Sequence, residues 1–277
     1  MFPATFSSLP DMNDLLAPTT QTPYDQAIDQ ACGALHAAYA KGWITHRDGN
    51  ISLRDAAGDG FWISQSAVVK ARLQASQMLH VGTAILATGA TPAGVSGEFM
   101  LHRLLQALLP AGFDTVLHLH PTYTVAAMYA GWDLRALSDQ FPEVTRYTRV
   151  GHNVPALPAT SEELALACAT AFSPALGGMP HIVGLDRHGI VAVGRSPFDA
   201  FEHVERLEHV CQMVLASGNR AISTESVNLM GAAVDADLLV AACEAATAAG
   251  GTQAFEAKAG SSQISRLAAT AEPWEQP

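Results

Sequence analysis

Two histidines at the end of an apolar run have the spacing of a metal site. His118 and His120 are one residue apart, and the following Pro121 has no N–H group with which to continue a β-ladder. Side chains alternate between the two faces of a strand, so both imidazoles point the same way while Leu117 and Leu119 face a core. Two imidazoles placed in this way can bind one metal ion. A half-buried strand that carries two histidines by chance has the same pattern.

A third histidine also lies at a predicted strand end. His188 separates the apolar runs 182–185 and 190–193. Three neutral imidazoles with an open fourth position form a catalytic zinc site, because a structural site is closed by four protein ligands. Glu98 adds a carboxylate at the start of a helical stripe, which consists of Leu101, Leu104, Leu105 and Leu108. This carboxylate either transfers protons, which contributes about 10²–10⁴-fold to a rate, or only complements the helix dipole.

Five short motifs, taken in chain order, resemble the class II aldolase/adducin family, which the fuculose phosphate aldolases typify. They are Asp48-Gly49-Asn50, Ser64-Gln65-Ser66-Ala67, Ser96-Gly97-Glu98, His118-Leu119-His120-Pro121 and Arg187-His188-Gly189. The resemblance implies one three-layer α/β/α domain with a mainly antiparallel central sheet. It also implies a divalent cofactor, Zn²⁺ or another metal such as Mn²⁺, on His118, His120 and His188, and a homotetramer with sites at subunit contacts.

The same resemblance implies a zinc-dependent carbon–carbon lyase. It would cleave a small hydroxy-carbonyl, sugar-phosphate-like substrate by a retro-aldol step through a metal-stabilised enediolate, with Glu98 moving the proton. Decarboxylation of an oxo-acid or hydroxy-acid stays open, since residues 141–158 resemble those of oxo-tetronate phosphate decarboxylases. Epimerisation and a non-catalytic, adducin-like role are the remaining alternatives. Some aldolases of the family use a tyrosine of the C-terminal tail as a proton donor; this tail has none, so Tyr147 is the candidate for that role.

A binding region for an anionic substrate is implied as well. Its candidate residues are Asn50, in the turn before a strand, and Ser66, Lys70 and Ser96, in two loops. Where the family has a glycine in the first loop and a further serine in the second, this chain has Ala67 and Gly97. These two departures leave open whether the anion is a phosphate or a carboxylate.

Composition and charge exclude several classes of partner. The chain of 277 residues is 49% hydrophobic, which is enough for a sizeable core. Its 26 acidic and 15 basic residues give a net charge of −11, which opposes binding to nucleic acid or to an anionic membrane surface. The N-terminus lacks a basic region, and no apolar run is long enough to span a bilayer. Four cysteines without a C-x-x-C pair are typical of buried thiols in a reducing compartment, so we expect a cytoplasmic protein.

The pattern along the chain divides it into three parts. We predict a flexible arm over residues 1–20, a catalytic domain over 21–218, and an Ala-rich extension over 219–277 with one helix at Asp235 to Ala249. The last strong element of the domain is a helix from Pro197 to Gly218. Its His203 and His209 lie off the apolar stripe, and we expect both to be exposed.

Overall fold

The computed structural model describes residues 23–174 and 178–218. The predicted arm, the predicted extension and the helix expected at Asp235 to Ala249 lie outside these residues. The elements are α1 (Pro23–Ala40), β1 (Asn50–Arg54), β2 (Phe61–Ser64), β3 (Met78–Val81), α2 (Thr83–Ala87), α3 (Phe99–Leu108), β4 (Thr115–Leu119), α4 (Thr122–Tyr129), α5 (Leu134–Ser138), α6 (Pro142–Tyr147), α7 (Glu162–Ala171), β5 (Ile182–Leu185), β6 (Gly189–Gly194) and α8 (Pro197–Ala216). Two single turns of 3₁₀ helix, Lys70–Arg72 and Ala75–Gln77, precede β3.

The strands of the described residues form one six-stranded sheet in the order β3-β2-β1-β4-β6-β5, and each neighbouring pair is antiparallel. This arrangement confirms the predicted α/β fold with a mainly antiparallel sheet. Strands β1 and β4 lie in the middle, and Asn50 is directly opposite His118 in their ladder. On its other side His118 is opposite Val191 of β6. A residue of the predicted metal site is therefore held between two neighbouring strands.

Helices cover both faces of the sheet. Helices α1, α4 and α8 pack on one face, where Leu117 and Leu119 of β4 belong to their core cluster. Helices α3 and α7 pack on the other face, where Val116 belongs to a second core cluster. Because side chains alternate along β4, His118 lies on the same face as Val116 and points to the α3 layer. This alternation is the one that the sequence predicted.

The helix ends follow from local chemistry. The hydroxyl of Ser161 accepts a hydrogen bond of 3.1 Å from the backbone N–H of Leu164 at the start of α7. The hydroxyl of Ser196 does the same for α8, where Pro197 occupies the first turn. Both caps satisfy backbone donors that a helix start leaves without partners.

One prediction about burial was wrong. His203 is buried: its Nδ1 lies 2.9 Å from the hydroxyl of Thr148, and its ring stacks on His181 with centroids 4.4 Å apart. The apolar stripe of α8 reflects its contacts with the sheet, α1 and α4, whereas Thr148, which follows α6, covers a further side of the helix. His209 is exposed, as predicted.

The structure describes three of the four cysteines. Cys32, Cys168 and Cys211 are buried free thiols, and Cys243 lies outside the described residues. Among the described helices, none is both long enough and apolar enough to cross a membrane.

Candidate metal centre and active site

The structure brings the three predicted histidines together. The ring centroids of His118, His120 and His188 lie 4.8 to 5.1 Å from one another, and their candidate ligand nitrogens all fall within 4.8 Å. The Nε2 atoms of His118 and His120 are 2.9 Å apart. Such an approach of two ring nitrogens is suited to a cation that both of them bind.

The protonation of the cluster fits a metal site. Nδ1 of His118 donates to the backbone carbonyl of Ile190 at 2.8 Å, which leaves the lone pair of Nε2 facing the cluster. Burial lowers the pKa of His120 to about 4, and burial together with the neighbouring imidazoles holds the pKa of His118 well below its ordinary value. Burial also lowers the pKa of His188, and its Nδ1 is a buried atom that has no hydrogen-bond partner among the described residues. Three neutral imidazoles are therefore present at neutral pH, as a bound Zn²⁺ requires.

A glycine lets the third histidine approach the other two. Gly189 starts β6, and a Cβ atom there would lie 2.4 Å from the carbonyl oxygen of Leu119 and 2.6 Å from Cδ2 of His120. The preceding Arg187 turns the chain with a φ of 57°. Any larger residue at position 189 would push β6 away from the end of β4, so the His188-Gly189 pair is needed for the cluster to close.

Glu208 anchors the chain directly after His120. Its carboxylate, 4% exposed, reaches from α8 to the start of α4 and accepts hydrogen bonds from the backbone N–H groups of Tyr123 and Thr124 and from the Thr124 hydroxyl, at 3.0, 2.7 and 2.7 Å. A carboxylate in this position also complements the positive end of the helix. Sequence patterns do not single out Glu208, because a glutamate on a helix resembles any solvated charge until the fold shows what it contacts.

Glu98 lies beside the histidine cluster, as predicted. It occupies the N-cap position of α3, is 7% exposed, and its Oε1 is 3.9 Å from Nε2 of His188. The same oxygen accepts a hydrogen bond of 3.2 Å from the backbone N–H of Thr160. Burial raises the pKa of this carboxyl, an effect that the Thr160 hydrogen bond partly opposes. A raised pKa moves a carboxyl toward the range in which it exchanges protons at neutral pH.

The two loops of the predicted anion region lie side by side. Gln65 forms a β-bridge with Val95, and the backbone N–H of Ser66 donates to the carbonyl of Gly94 at 2.8 Å. Ser66 is exposed, whereas Ser96 is buried and its hydroxyl accepts from the backbone N–H of Glu98. The loops thus connect the predicted anion region to the carboxylate.

Both departures from the family pattern have a structural counterpart. Ala67 adopts a left-handed backbone conformation with a φ of 58°, which favours glycine. At Gly97, a Cβ atom would lie 3.1 Å from Cγ2 of Thr160. A serine there would press on the residue whose N–H group holds Glu98, so the small side chain at position 97 accommodates the Thr160 loop.

The other predicted binding residues have distinct surroundings. Lys70 is 2% exposed, and its ammonium donates to the carbonyls of Gln65 and Val68 at 3.1 and 3.5 Å, so it supports the loop from beneath. Its direct contact with a substrate stays a prediction. Asn50 is 6% exposed and its Oδ1 is hydrogen-bonded to Nε2 of His102. His102 was missed, although it is four residues after Glu98, on the same face of α3.

Tyr147 lies at the end of α6, half exposed, with its ring against the guanidinium groups of Arg146 and Arg206. These ring contacts do not include the histidine cluster. The role of Tyr147 as a proton donor stays a prediction.

Three imidazoles and a buried carboxyl at a strand end of a three-layer α/β/α fold define a metal-dependent enzyme site. The chain matches the family model described as the Class II Aldolase and Adducin N-terminal domain over residues 29–215, so it belongs to the class II aldolase and adducin family. This membership agrees with the resemblance seen in the motifs.

The chain is similar to two dehydratases and to one aldolase of known structure. It is 29% identical over 207 residues to a methylthioribulose-1-phosphate dehydratase of Bradyrhizobium sp., a match that covers 68% of this chain and 90% of that protein. A protein of the same name from Cronobacter sakazakii is 35% identical over 98 residues, which are 35% of this chain and 46%, or about half, of that protein. The crystal structure of L-fuculose-1-phosphate aldolase from Thermus thermophilus aligns with a TM-score of 0.57 at 26% identity, over 70% of this chain and 94% of that chain. A dehydratase and an aldolase are both lyases, which supports the expected class of enzyme, a metal-dependent lyase.

Proposed function

We propose that the protein is a divalent metal-dependent lyase that acts on a small anionic ketose, such as a ketose phosphate. The observation that carries the proposal is the convergence of three neutral imidazoles with the buried carboxyl of Glu98, 3.9 Å from His188. His118, His120 and His188 would hold the cation, for which Zn²⁺ is the first choice and Mn²⁺ the alternative. When bound, the cation supplies Lewis-acid stabilisation of the negative charge that develops on a substrate carbonyl oxygen.

Glu98 is the residue that moves the proton in this proposal. Its raised pKa and its distance from the histidines suit a group that accepts a proton from substrate and returns it later in the reaction. The N–H group of Thr160 orients the carboxyl. The Ser66 and Ser96 loops, together with Asn50, would bind the anionic end of the substrate.

Two bond-breaking steps suit this arrangement. In retro-aldol cleavage, a substrate hydroxyl loses its proton, a carbon–carbon bond breaks, and its electron pair moves to the carbonyl to give an enediolate and an aldehyde. In the elimination of water, the proton leaves the carbon next to the carbonyl and a hydroxyl departs from the following carbon. Similarity to the Thermus thermophilus aldolase favours the first reaction, and similarity to the two dehydratases favours the second.

The experiment is a product assay on the metal-loaded full chain with a panel of ketose 1-phosphates and oxo-acids. Mass spectrometry separates the outcomes, because aldol cleavage gives two carbonyl fragments, dehydration gives one product that has lost water, and decarboxylation gives carbon dioxide. We expect turnover of at least one ketose phosphate. Absence of turnover over the whole panel by fully metal-loaded protein would refute the proposed function.

Metal content tests the ligand assignment independently of turnover. We expect one ion for each chain, lost on replacement of His118, His120 or His188 with alanine. The matched controls are His36→Ala, which removes a ring bonded to the carbonyl of Leu73, and His209→Ala. Both should keep their metal. Retention of the ion by the triple-histidine variant would place the site elsewhere.

We also propose that the chain assembles as a homotetramer, as the resemblance implies, since oligomers close by symmetry. Light scattering at micromolar concentration measures the mass directly. A monomer would contradict the proposed tetramer and would leave the proposed reaction untouched.

A further inference from the structure

A chain of buried polar groups runs between α3 and the sheet. Nε2 of Gln106 lies 3.0 Å from the carbonyl oxygen of Asp114 and 2.9 Å from the hydroxyl of Ser52. The Ser52 hydroxyl lies 2.8 Å from Nδ1 of His102, and Nε2 of His102 is bonded to Oδ1 of Asn50. Ser52 and His102 are fully buried, and Asn50 and Gln106 are each 6% exposed. The last of these hydrogen-bonded groups belongs to Asn50, which lies opposite His118 in the β1–β4 ladder.

The chemistry of these polar groups determines which atom donates and which accepts in each of their hydrogen bonds. A backbone carbonyl only accepts, so the Gln106 atom that contacts the Asp114 oxygen is the amide nitrogen and not the amide oxygen. The same NH₂ group therefore also donates to the hydroxyl of Ser52. The Ser52 hydroxyl can either donate to Nδ1 of His102 or accept from it, and the other ring nitrogen decides: Oδ1 of Asn50 only accepts, so Nε2 of His102 is the donor there and Nδ1 accepts from Ser52. Burial lowers the pKa of His102 to about 3, so the ring is neutral and carries its one hydrogen on Nε2. That hydrogen is donated to Oδ1 of Asn50.

The other end of the Asn50 amide carries its nitrogen. Within the described residues, its Nδ2 has no hydrogen-bond partner, although the side chain is more than nine-tenths buried. Asn50 and His118 face each other across the β1–β4 ladder, so their side chains project from the same face of the sheet. An amide NH₂ group can only donate.

We infer that His102 is a positioning residue that holds the Asn50 amide with its nitrogen toward the metal cluster, so that Asn50 selects an anionic oxygen of the ligand. The inference rests on the proposed function in one respect, that the ligand binds beside the three histidines. Without the donor on His102, the Asn50 amide can flip and present its oxygen to the ligand, and this oxygen repels an anion. The ligand group can be a phosphate or a carboxylate, since both offer the same acceptor oxygens.

Two conservative variants separate this role from simple core packing. His102→Gln keeps an N–H donor close to the position of Nε2, whereas His102→Asn keeps one close to Nδ1 and loses the donor to Asn50. The probes are inorganic phosphate and acetate, titrated by calorimetry into the metal-loaded full chain. We expect His102→Asn to weaken binding of the preferred anion by about 10–100-fold, the loss typical of a hydrogen bond to a charged group, and His102→Gln to stay within about threefold of the wild type.

An Asn50→Ala background completes the test. In that background the two His102 variants should bind the anion equally, because the group that His102 positions is gone. His209→Asn serves as the control and should bind like the wild type. Equal weakening by both His102 variants, or the same loss with and without Asn50, would overturn the inference. So would a wild-type protein that binds neither anion.

The tautomer can be measured on the wild-type protein, which removes any dependence on the folding of variants. Long-range proton–nitrogen NMR correlations of histidine rings show which nitrogen carries the hydrogen, and His102→Gln identifies the signal. We expect a protonated Nε2 at neutral pH, and a protonated Nδ1 would overturn the assignment. Neither this measurement nor anion binding requires turnover, so the inference can fail while the proposed function holds, and the reverse.

Discussion

Removal of the Glu208 carboxylate should loosen both the fold and the metal centre. The carboxylate accepts three hydrogen bonds at the start of α4, which begins two residues after His120. A hydrogen bond to a charged group contributes about 1.5–3 kcal/mol, and the lower value for three bonds gives about 4–5 kcal/mol. A cleft of about 510 Å³ borders Glu208 and Tyr123, so water can replace part of what is lost. We therefore expect Glu208→Ala to lower the free energy of unfolding by about 2–4 kcal/mol.

The two readouts are urea denaturation after chelator treatment and metal content after dialysis. Glu208→Gln keeps one acceptor oxygen, so its free energy of unfolding should fall by about half as much as that of Glu208→Ala. Because α4 then holds the end of β4 less firmly, both variants should release metal more readily than the wild type. The matched control is Glu205→Ala, which removes the same charge from the same helix, where it forms an exposed ion pair of 2.8 Å with Lys41. Its cost should be at most about 1 kcal/mol. A Glu208→Ala protein with wild-type stability and metal retention would refute the reasoning.

Three further predictions concern other parts of the site. Glu98→Gln should lower kcat by about 10²–10⁴-fold with little change in metal content, while Glu163→Gln, in the first turn of α7, should leave kcat unchanged; near-normal turnover by Glu98→Gln would exclude it as the acid/base. Ala67→Gly should raise the free energy of unfolding by about 1 kcal/mol in urea titrations, because a φ of 58° strains alanine and not glycine, and an unchanged midpoint would contradict this. The pKa of His102, lowered from 6.5 to about 3 by burial, means that below pH 6.5 the unfolded chain takes up a proton that the folded protein does not. The stability contributed by this group is complete above pH 6.5 and falls by about 1.4 kcal/mol per pH unit below it, which is about 2 kcal/mol at pH 5. His102→Gln should therefore lose less free energy of unfolding on acidification than the wild type. Equal losses in both proteins would contradict the lowered pKa of His102.

Much of the architecture could be predicted because it depends on local periodicity. The alternation of His118 and His120 with Leu117 and Leu119 predicted that the two leucines face a core, and Pro197 predicted where α8 begins. Local patterns carry such information since strand and helix periods are set by the backbone itself. The proximity of His188 to the other two histidines was expected from strand ends and from the family resemblance, and the structure agrees.

What the sequence could not show are contacts between distant segments. Lys70 was expected to contact the anion, which stays a prediction, and only the fold shows that its ammonium also donates to two carbonyls of the neighbouring loop. His203 was expected at the surface because a stripe on one helix does not reveal a second packing partner, here Thr148. A sequence lists donors and acceptors without their partners.

The sequence by itself indicated the three candidate ligand histidines and the carboxylate of Glu98, through residue type and short-range spacing, and the α/β layers, through the resemblance to a known family. The tertiary structure alone decided how those groups are oriented. The bond from His102 to Asn50 joins residues 52 positions apart, and that from Glu208 to Thr124 joins residues 84 apart. Hydrogen bonds are short and directional, so partners so far apart along the chain are defined only once the whole domain has packed.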